Sequence, residues 1–142
     1  MILINGDLSE NFDLLLEGEL FNGSASYLTQ ILIDTGFTGF REEAPILIPD
    51  DICKTLDLVK SIETIDLLGF SEGGPIKCHT ATLGIRVNEN NVSRFKLYDV
   101  MAIILPRRYG SEILVGSDFL NLRLGCKRII IDYERYYFRI VV

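Results

Sequence analysis

From Phe12 to Phe21 apolar and polar positions alternate. Leu14, Leu16, Gly18 and Leu20 fall on one face, and Asp13, Glu17 and Glu19 on the other. A period of two over this length predicts a half-buried strand. Asn22-Gly23 follows, a pair suited to a tight two-residue hairpin because both residue types tolerate positive φ. The return strand, residues 24–33, gathers Ala25, Tyr27, Thr29, Ile31 and Ile33 on one face and delivers the chain to Asp34-Thr35-Gly36. Residues 46–48 are continuously apolar and predict a short strand. Pro49 and a brief helix from Asp50 to about Asp57 come next, with Asp50 as its cap and Ile52 and Leu56 one turn apart on the inner face.

The second half repeats the style. Residues 62–68 and 76–87 read as the arms of a hairpin whose tip is Gly69-Phe70-Ser71-Glu72-Gly73-Gly74-Pro75. Residues 88–91 turn the chain into a long strand ending near Leu105, and residues 106–110 form a loop. Ile113-Leu114-Val115 runs into Gly116-Ser117-Asp118, where Ser117 and Asp118 are read as caps of a helix that ends at Gly125. Residues 129–133 and 136–142 predict a closing hairpin with its turn at Glu134-Arg135. Tyr133, Tyr136, Tyr137 and Phe138 read as a packing set of that hairpin. With only two short helices the chain is a mostly β, largely antiparallel single domain over residues 1–142.

Composition narrows the chemistry. At 142 residues with 48% hydrophobic content, the chain can fill one core. No apolar run approaches the roughly 18–20 residues that cross a bilayer, and MILINGDLSE lacks a positive n-region, so the expectation is a cytoplasmic protein without membrane association. A net charge of −6 repels phosphate backbones and argues against nucleic acid as a partner. Cys53, Cys78 and Cys126 are odd in number and form no C-x-x-C pair, which reads as buried or semi-buried thiols. His79 is the sole histidine and reads as one position of a strand's in-out alternation. The expectation is an active site without metal or other cofactor.

Asp34 is the main candidate for chemistry. A carboxylate directly after Ile31-Leu32-Ile33 is unusual, because desolvation disfavours the ionised form. Thr35 and Gly36 add a short hydroxyl and a residue that permits a tight turn. Alone the triplet is weak, since an ordinary strand-to-turn Asp looks the same. Its context is more specific: I-L-I-D-T-G-F-T-G, then I-L-I-P-D-D-I-C-K-T-L-D-L, then I-L-V-G-S-D-F-L, then L-R-L-G-C-K-R-I-I-I-D-Y-E-R-Y-Y-F-R-I. In this order they resemble the retropepsin-like aspartic proteases, particularly the small cellular members related to retroviral proteases. The resemblance runs from about Phe12 to Ile140.

The resemblance implies an acid-protease fold, a closed barrel with one or two short helices, and a site built across a twofold axis from one D-[TS]-G per subunit. Only one such triplet occurs here, so the partner implied is a second copy of the chain. Asp34 would be the catalytic aspartate, Thr35 the interlocking hydroxyl and Gly36 the close-approach backbone position. Gly69, Phe70, Gly73 and Gly74 would form the tip of a flap over a peptide or protein substrate. Gly116 would sit where the second apolar signature packs below the catalytic loop. Two features depart from many relatives: Arg41-Glu42-Glu43-Ala44-Pro45 precedes the strand at 46–48, and the tip carries Glu72. The function implied is a homodimeric aspartic endopeptidase. A non-catalytic peptide-binding or assembly module on the same fold remains open, as does an unrelated barrel in which Asp34 merely ends a strand.

Overall fold

The structure is a computed structural model that describes residues 2–35, 37, 46–69, 72–89 and 93–142. β1 (Leu3–Leu8) buries Ile4 and Leu8, while Asn5 and Asp7 face solvent. β2 (Leu14–Asn22) buries Leu16 and Leu20 and leaves Glu17 exposed, as its alternation predicts. β3 (Ala25–Ile33) becomes fully buried only toward its end, at Ile31 and Ile33. β4 (Ile46–Pro49) is buried throughout, and the short helix α1 (Asp50–Thr55) follows it directly. β5 (Ile65–Leu67) and β6 (Ile76–Cys78) form a separate two-stranded sheet. β7 (Thr80–Glu89) and β8 (Ser93–Leu105) form a long antiparallel pair with an irregularity between Leu83 and Ile85. β9 (Leu114–Val115), a π-helical turn (Phe119–Arg123), β10 (Arg128–Asp132) and β11 (Tyr137–Val141) complete the chain.

The main sheet runs β10-β11-β1-β2-β3-β9-β4-β8-β7. β7 pairs back onto β2, from Gly18 opposite Val87 to Phe21 opposite Gly84, and so closes a six-strand barrel of β2, β3, β9, β4, β8 and β7. Most pairings are antiparallel; β3–β9 and β4–β8 are parallel. β4 is apolar on both faces because it lies between two clusters. Ile46 and Ile48 point into the barrel with Leu16, Leu20, Ile31 and Phe119, whereas Leu47 joins Phe37, Leu67, Ile76, Cys78 and Leu114. Each fully buried aliphatic side chain stabilises the fold by about 1.5–3 kcal/mol over exposure, which holds this three-residue run between its neighbours.

Several local expectations shift. β1, which the pattern beginning at Phe12 does not anticipate, pairs with β11 from Leu3 opposite Val141 to Asp7 opposite Tyr137. The first hairpin turns at Gly23-Ser24 instead of Asn22-Gly23. Asn22 is still paired with Ala25, and only Gly23 needs positive φ (59°). That fits a turn with glycine at its first central position and frees the Asn22 side chain to donate to the Leu56 carbonyl at the end of α1 (2.9 Å). Asp50 does not cap α1: Pro49 occupies the cap position, and the Asp50 carboxylate lies 2.7 Å from Lys60 and 3.3 Å from Lys54. Ile52 and Leu56 are buried as expected.

The long arm 76–87 is split at His79, whose carbonyl accepts the Ile104 N–H (2.9 Å) and whose Nδ1 is 2.8 Å from the Ser61 carbonyl oxygen. Ile62 is fully exposed, so the first hairpin arm shortens to β5. In the closing hairpin Phe138 is buried, but Tyr133 and Tyr136 are on the surface, packed against Phe12 at centroid distances of 5.5 and 5.6 Å. No helix among the described residues is long and apolar enough to cross a membrane.

Candidate active site

Asp34 lies immediately after β3, where the strand leaves its partner β2 and takes up β9 on its other side. The parallel register sets Leu32 opposite Leu114 and Ile33 opposite Val115. The Leu32 N–H donates to the Ile113 carbonyl (2.8 Å), and the Asp34 N–H donates to the Val115 carbonyl (2.9 Å). The Asp34 carbonyl then accepts the Phe37 N–H (3.0 Å), closing a single turn. Both backbone groups of Asp34 are therefore held, one by the second apolar strand and one by its own loop. The residue itself is exposed, as is Thr35.

Gly116 and Ser117, directly after β9, fix this loop from below. A Cβ on Gly116 would overlap the Phe37 carbonyl, so only glycine lets the two segments approach this closely. Ser117 Oγ donates to the Thr35 carbonyl at 2.8 Å. This corrects its expected role as a helix cap: the side chain reaches across to another segment, and neither Ser117 nor Asp118 makes a side-chain cap bond to the following helix. Helical backbone already includes Ser117 and Asp118, so their side chains are not placed to accept from the first turn. Gly125, with φ of 69°, does end the helical segment, and the Cys126 N–H closes onto the Leu120 carbonyl (2.8 Å).

Phe37 brings the β5–β6 hairpin to the same place. Its ring is buried with Leu67, Ile76 and Cys78 from the hairpin base, Leu47 of β4 and Leu114 of β9, while Leu32 packs at the margin. In the hairpin loop Gly69 and Gly74 have φ of 88° and 105°, with open space where a side chain would point. Gly73 lies in the same loop. Gly36, Phe70 and the segment 41–45 lie outside the described residues. Beside Leu114 a cavity of about 250 Å³ is lined by Leu47, Leu105, Tyr109, Ser111 and Glu112.

Cys53 and Cys78 are buried and Cys126 is half-buried; all are free thiols. Burial pushes each of the three thiols above its ordinary pKa. Among the described residues no cluster of His, Cys, Asp and Glu could hold a metal ion. Residues that the sequence does not single out prove important for the loop: Phe37, as the shared apolar anchor, and Val115, through its carbonyl. Their signal is only their place next to D-T-G and G-S-D.

No family model and no curated protein matches this chain. Among solved structures it is similar to the crystal structure of a retropepsin-like aspartic protease from Rickettsia conorii, with a TM-score of 0.60 and 13% sequence identity. The match covers 99% of this chain and 91% of that one. The chain thus has a retropepsin-like fold: mostly strand, a closed six-strand barrel and two short helices.

Proposed function

We propose that this protein is an aspartic endopeptidase that works as a homodimer, with one Asp34 from each copy forming the catalytic pair. The observation that carries this reading is the backbone clamp on Asp34. Its N–H is held by the Val115 carbonyl and its carbonyl by the Phe37 N–H, on a loop that Gly116 and Ser117 support. The full-length likeness to a retropepsin-like aspartic protease supports it at the level of fold.

Two carboxylates about 3 Å apart do not both ionise, so a pair shares one proton. The charged Asp34 takes a proton from a water held between the two. The resulting hydroxyl adds to the scissile carbonyl carbon, while the protonated Asp34 donates to the carbonyl oxygen. Collapse of the tetrahedral adduct breaks the C–N bond, and the leaving amine takes a proton from a carboxyl group. A chain with a single D-[ST]-G triplet supplies one carboxylate of this pair, which is why the reading requires a second copy.

Digestion of a peptide library from acid to neutral pH, read by mass spectrometry, tests the reading. Wild type cleaves, and Asp34→Asn, with an unchanged circular dichroism spectrum, does not. A dimeric wild type that leaves the library intact overturns it and favours a peptide-binding module on the same fold.

A further inference from the structure

We infer that Glu112 makes the cavity beside Leu114 a pocket for a basic side chain, so that the peptides this chain cleaves carry Lys or Arg close to the scissile bond. The inference names the substrate class of the proposed protease and rests on that reading. The cavity is lined on its apolar side by Leu47, Leu105 and Leu114 and on its polar side by Tyr109, Ser111 and Glu112. The three leucines are buried in the cluster that also holds Phe37 and the hairpin residues Leu67 and Ile76. At about 250 Å³ the cavity is smaller than the roughly 300–1,000 Å³ of sites that hold a drug-sized ligand. Its size suits one long side chain, not a whole small molecule.

The strand register brings this cavity to Asp34. Leu114 lies opposite Leu32, and the Leu32 and Asp34 N–H groups both donate to β9, at the Ile113 and Val115 carbonyls (2.8 and 2.9 Å). Ile33 and Val115 face the barrel core, whereas Leu32 and Leu114 belong to the other cluster. Alternation continued through Asp34 puts it on the face of Leu32 and Leu114, two positions further on. Two residues of strand span about 7 Å. A peptide whose scissile carbonyl reaches Asp34 therefore has a side chain at the cavity within one or two residues.

Glu112 sets the charge of this pocket. Among the described residues it is the one charged side chain in the lining, and it belongs to none of the ion pairs. The two cations of the same loop are engaged elsewhere. Arg107 pairs with Asp51 (3.5 Å), and the Arg108 guanidinium lies over the Tyr109 ring, 4.8 Å from its centroid. The loop itself is fixed by a 3-10 turn at Arg107–Tyr109, where the Tyr109 and Gly110 N–H groups donate to the Pro106 and Arg107 carbonyls (3.0 and 3.1 Å). A Lys or Arg side chain lays its methylene stem along the leucines and keeps its charged head at the exposed Glu112. The hydroxyls of Tyr109 and Ser111 add acceptors for its N–H groups. An acidic side chain meets like charge at the same point. The net charge of −6 favours cationic peptides in the same sense.

A peptide series tests the assignment, with Lys, Met or Glu placed in turn at each position of a frame of Ala, Val and Phe. Cleavage by the full chain is measured by mass spectrometry, and binding of the same peptides to Asp34→Asn by fluorescence anisotropy. Met matches Lys in length without its charge. At one position wild type shows kcat/KM at least about 10-fold higher for Lys than for Met, the scale of a hydrogen bond to a charged group, and lowest for Glu. Glu112→Gln brings the Lys-to-Met ratio close to one, and Glu112→Lys reverses the order of Lys and Glu. A folding defect lowers all three alike and leaves the ratios unmoved. If wild type cleaves without preferring Lys, or Glu112→Gln keeps the preference, the pocket assignment falls and the protease reading stands. If wild type cleaves nothing, yet Asp34→Asn binds the Lys peptides best and adding Glu112→Gln removes that preference, the pocket stands and the protease reading falls. Absence of both cleavage and binding overturns both.

Discussion

Ser117 Oγ donates a 2.8 Å hydrogen bond to the carbonyl of Thr35, a residue 82 positions earlier in the chain. The bond joins the two apolar-strand signatures at their ends. β3 leads into Asp34-Thr35 and β9 into Gly116-Ser117, and the parallel register of Ile33 with Val115 aligns them. The loop that carries Asp34 is therefore positioned by a second segment as much as by its own turn.

Ser117→Ala removes that bond and leaves the Thr35 carbonyl to solvent. The loss is about 0.5–1.5 kcal/mol for a bond of this kind. Urea unfolding is expected to show a lower midpoint, shifted by that loss divided by m, with an unchanged m-value. If Ser117 positions the Asp34 loop, kcat falls more than the stability loss explains while KM changes little. Ser117→Thr, which keeps the donor, restores kcat.

Gly116→Ala tests the close approach itself. The added Cβ meets the Phe37 carbonyl, a backbone atom that cannot rotate aside. Overpacking of this sort costs about 1–3 kcal/mol, and the rigid neighbour places this site at the upper end. Thermal unfolding should fall well below that of Ser117→Ala. A variant as stable as wild type would mean that the two loops are not in contact.

β2 was readable because its alternation directly reports which face is buried, as at Leu16 and Leu20. Asp34 was readable as the end of a strand because the apolar run Ile31-Leu32-Ile33 stops there. The errors share another origin. Asp50 and Ser117 have cap-forming side chains, but local sequence does not reveal that Lys60 or the Thr35 carbonyl offers a partner from elsewhere in the fold. His79 interrupts a continuous pattern because its carbonyl is engaged by Ile104, a pairing set by tertiary register. Tyr133 and Tyr136 have the composition of core residues, yet pack with Phe12 on the surface.

The Asp50–Lys60 pair gives a pH signature. A hydrogen bond from Lys60 is the main cause that lowers the Asp50 pKa below 3.8, and the same bond is the main cause that raises Lys60 above 10.5. A lowered carboxylate pKa contributes stability that is present above the unfolded value and lost as pH falls through the folded one. A raised ammonium pKa contributes stability that is present below 10.5 and lost as pH rises through its folded value. Lys60 is 41% exposed, so solvent screening limits the pair to less than about 1 kcal/mol. Lys60→Met is therefore expected to be slightly destabilised at pH 7, and the gap to wild type should close below pH 3.8 and again above 10.5. A gap that stays constant across unfolding curves at pH 3, 7 and 11 refutes the coupling.

The thiols report whether the base of the β5–β6 hairpin is fixed. Thiolate is the form that reacts with labelling reagents, and burial raises the pKa of Cys78 and Cys53. Cys78 is 1% exposed at the hairpin base, packed in the cluster that holds Phe37, while Cys53 is 3% exposed under the barrel. Cys126, half-buried, also has a raised pKa, which its backbone bond with Arg128 partly offsets. Labelling at pH 8, followed by peptide mass spectrometry, should modify Cys126 first and the other two about 100-fold more slowly, the scale set by a local opening of a few kcal/mol. In urea all three should react together. If only the glycine-rich tip moves to admit a substrate, Cys78 stays as slow as Cys53. Rapid labelling of Cys78 alone would instead show that the whole hairpin lifts from Phe37, uncoupling it from the loop that carries Asp34.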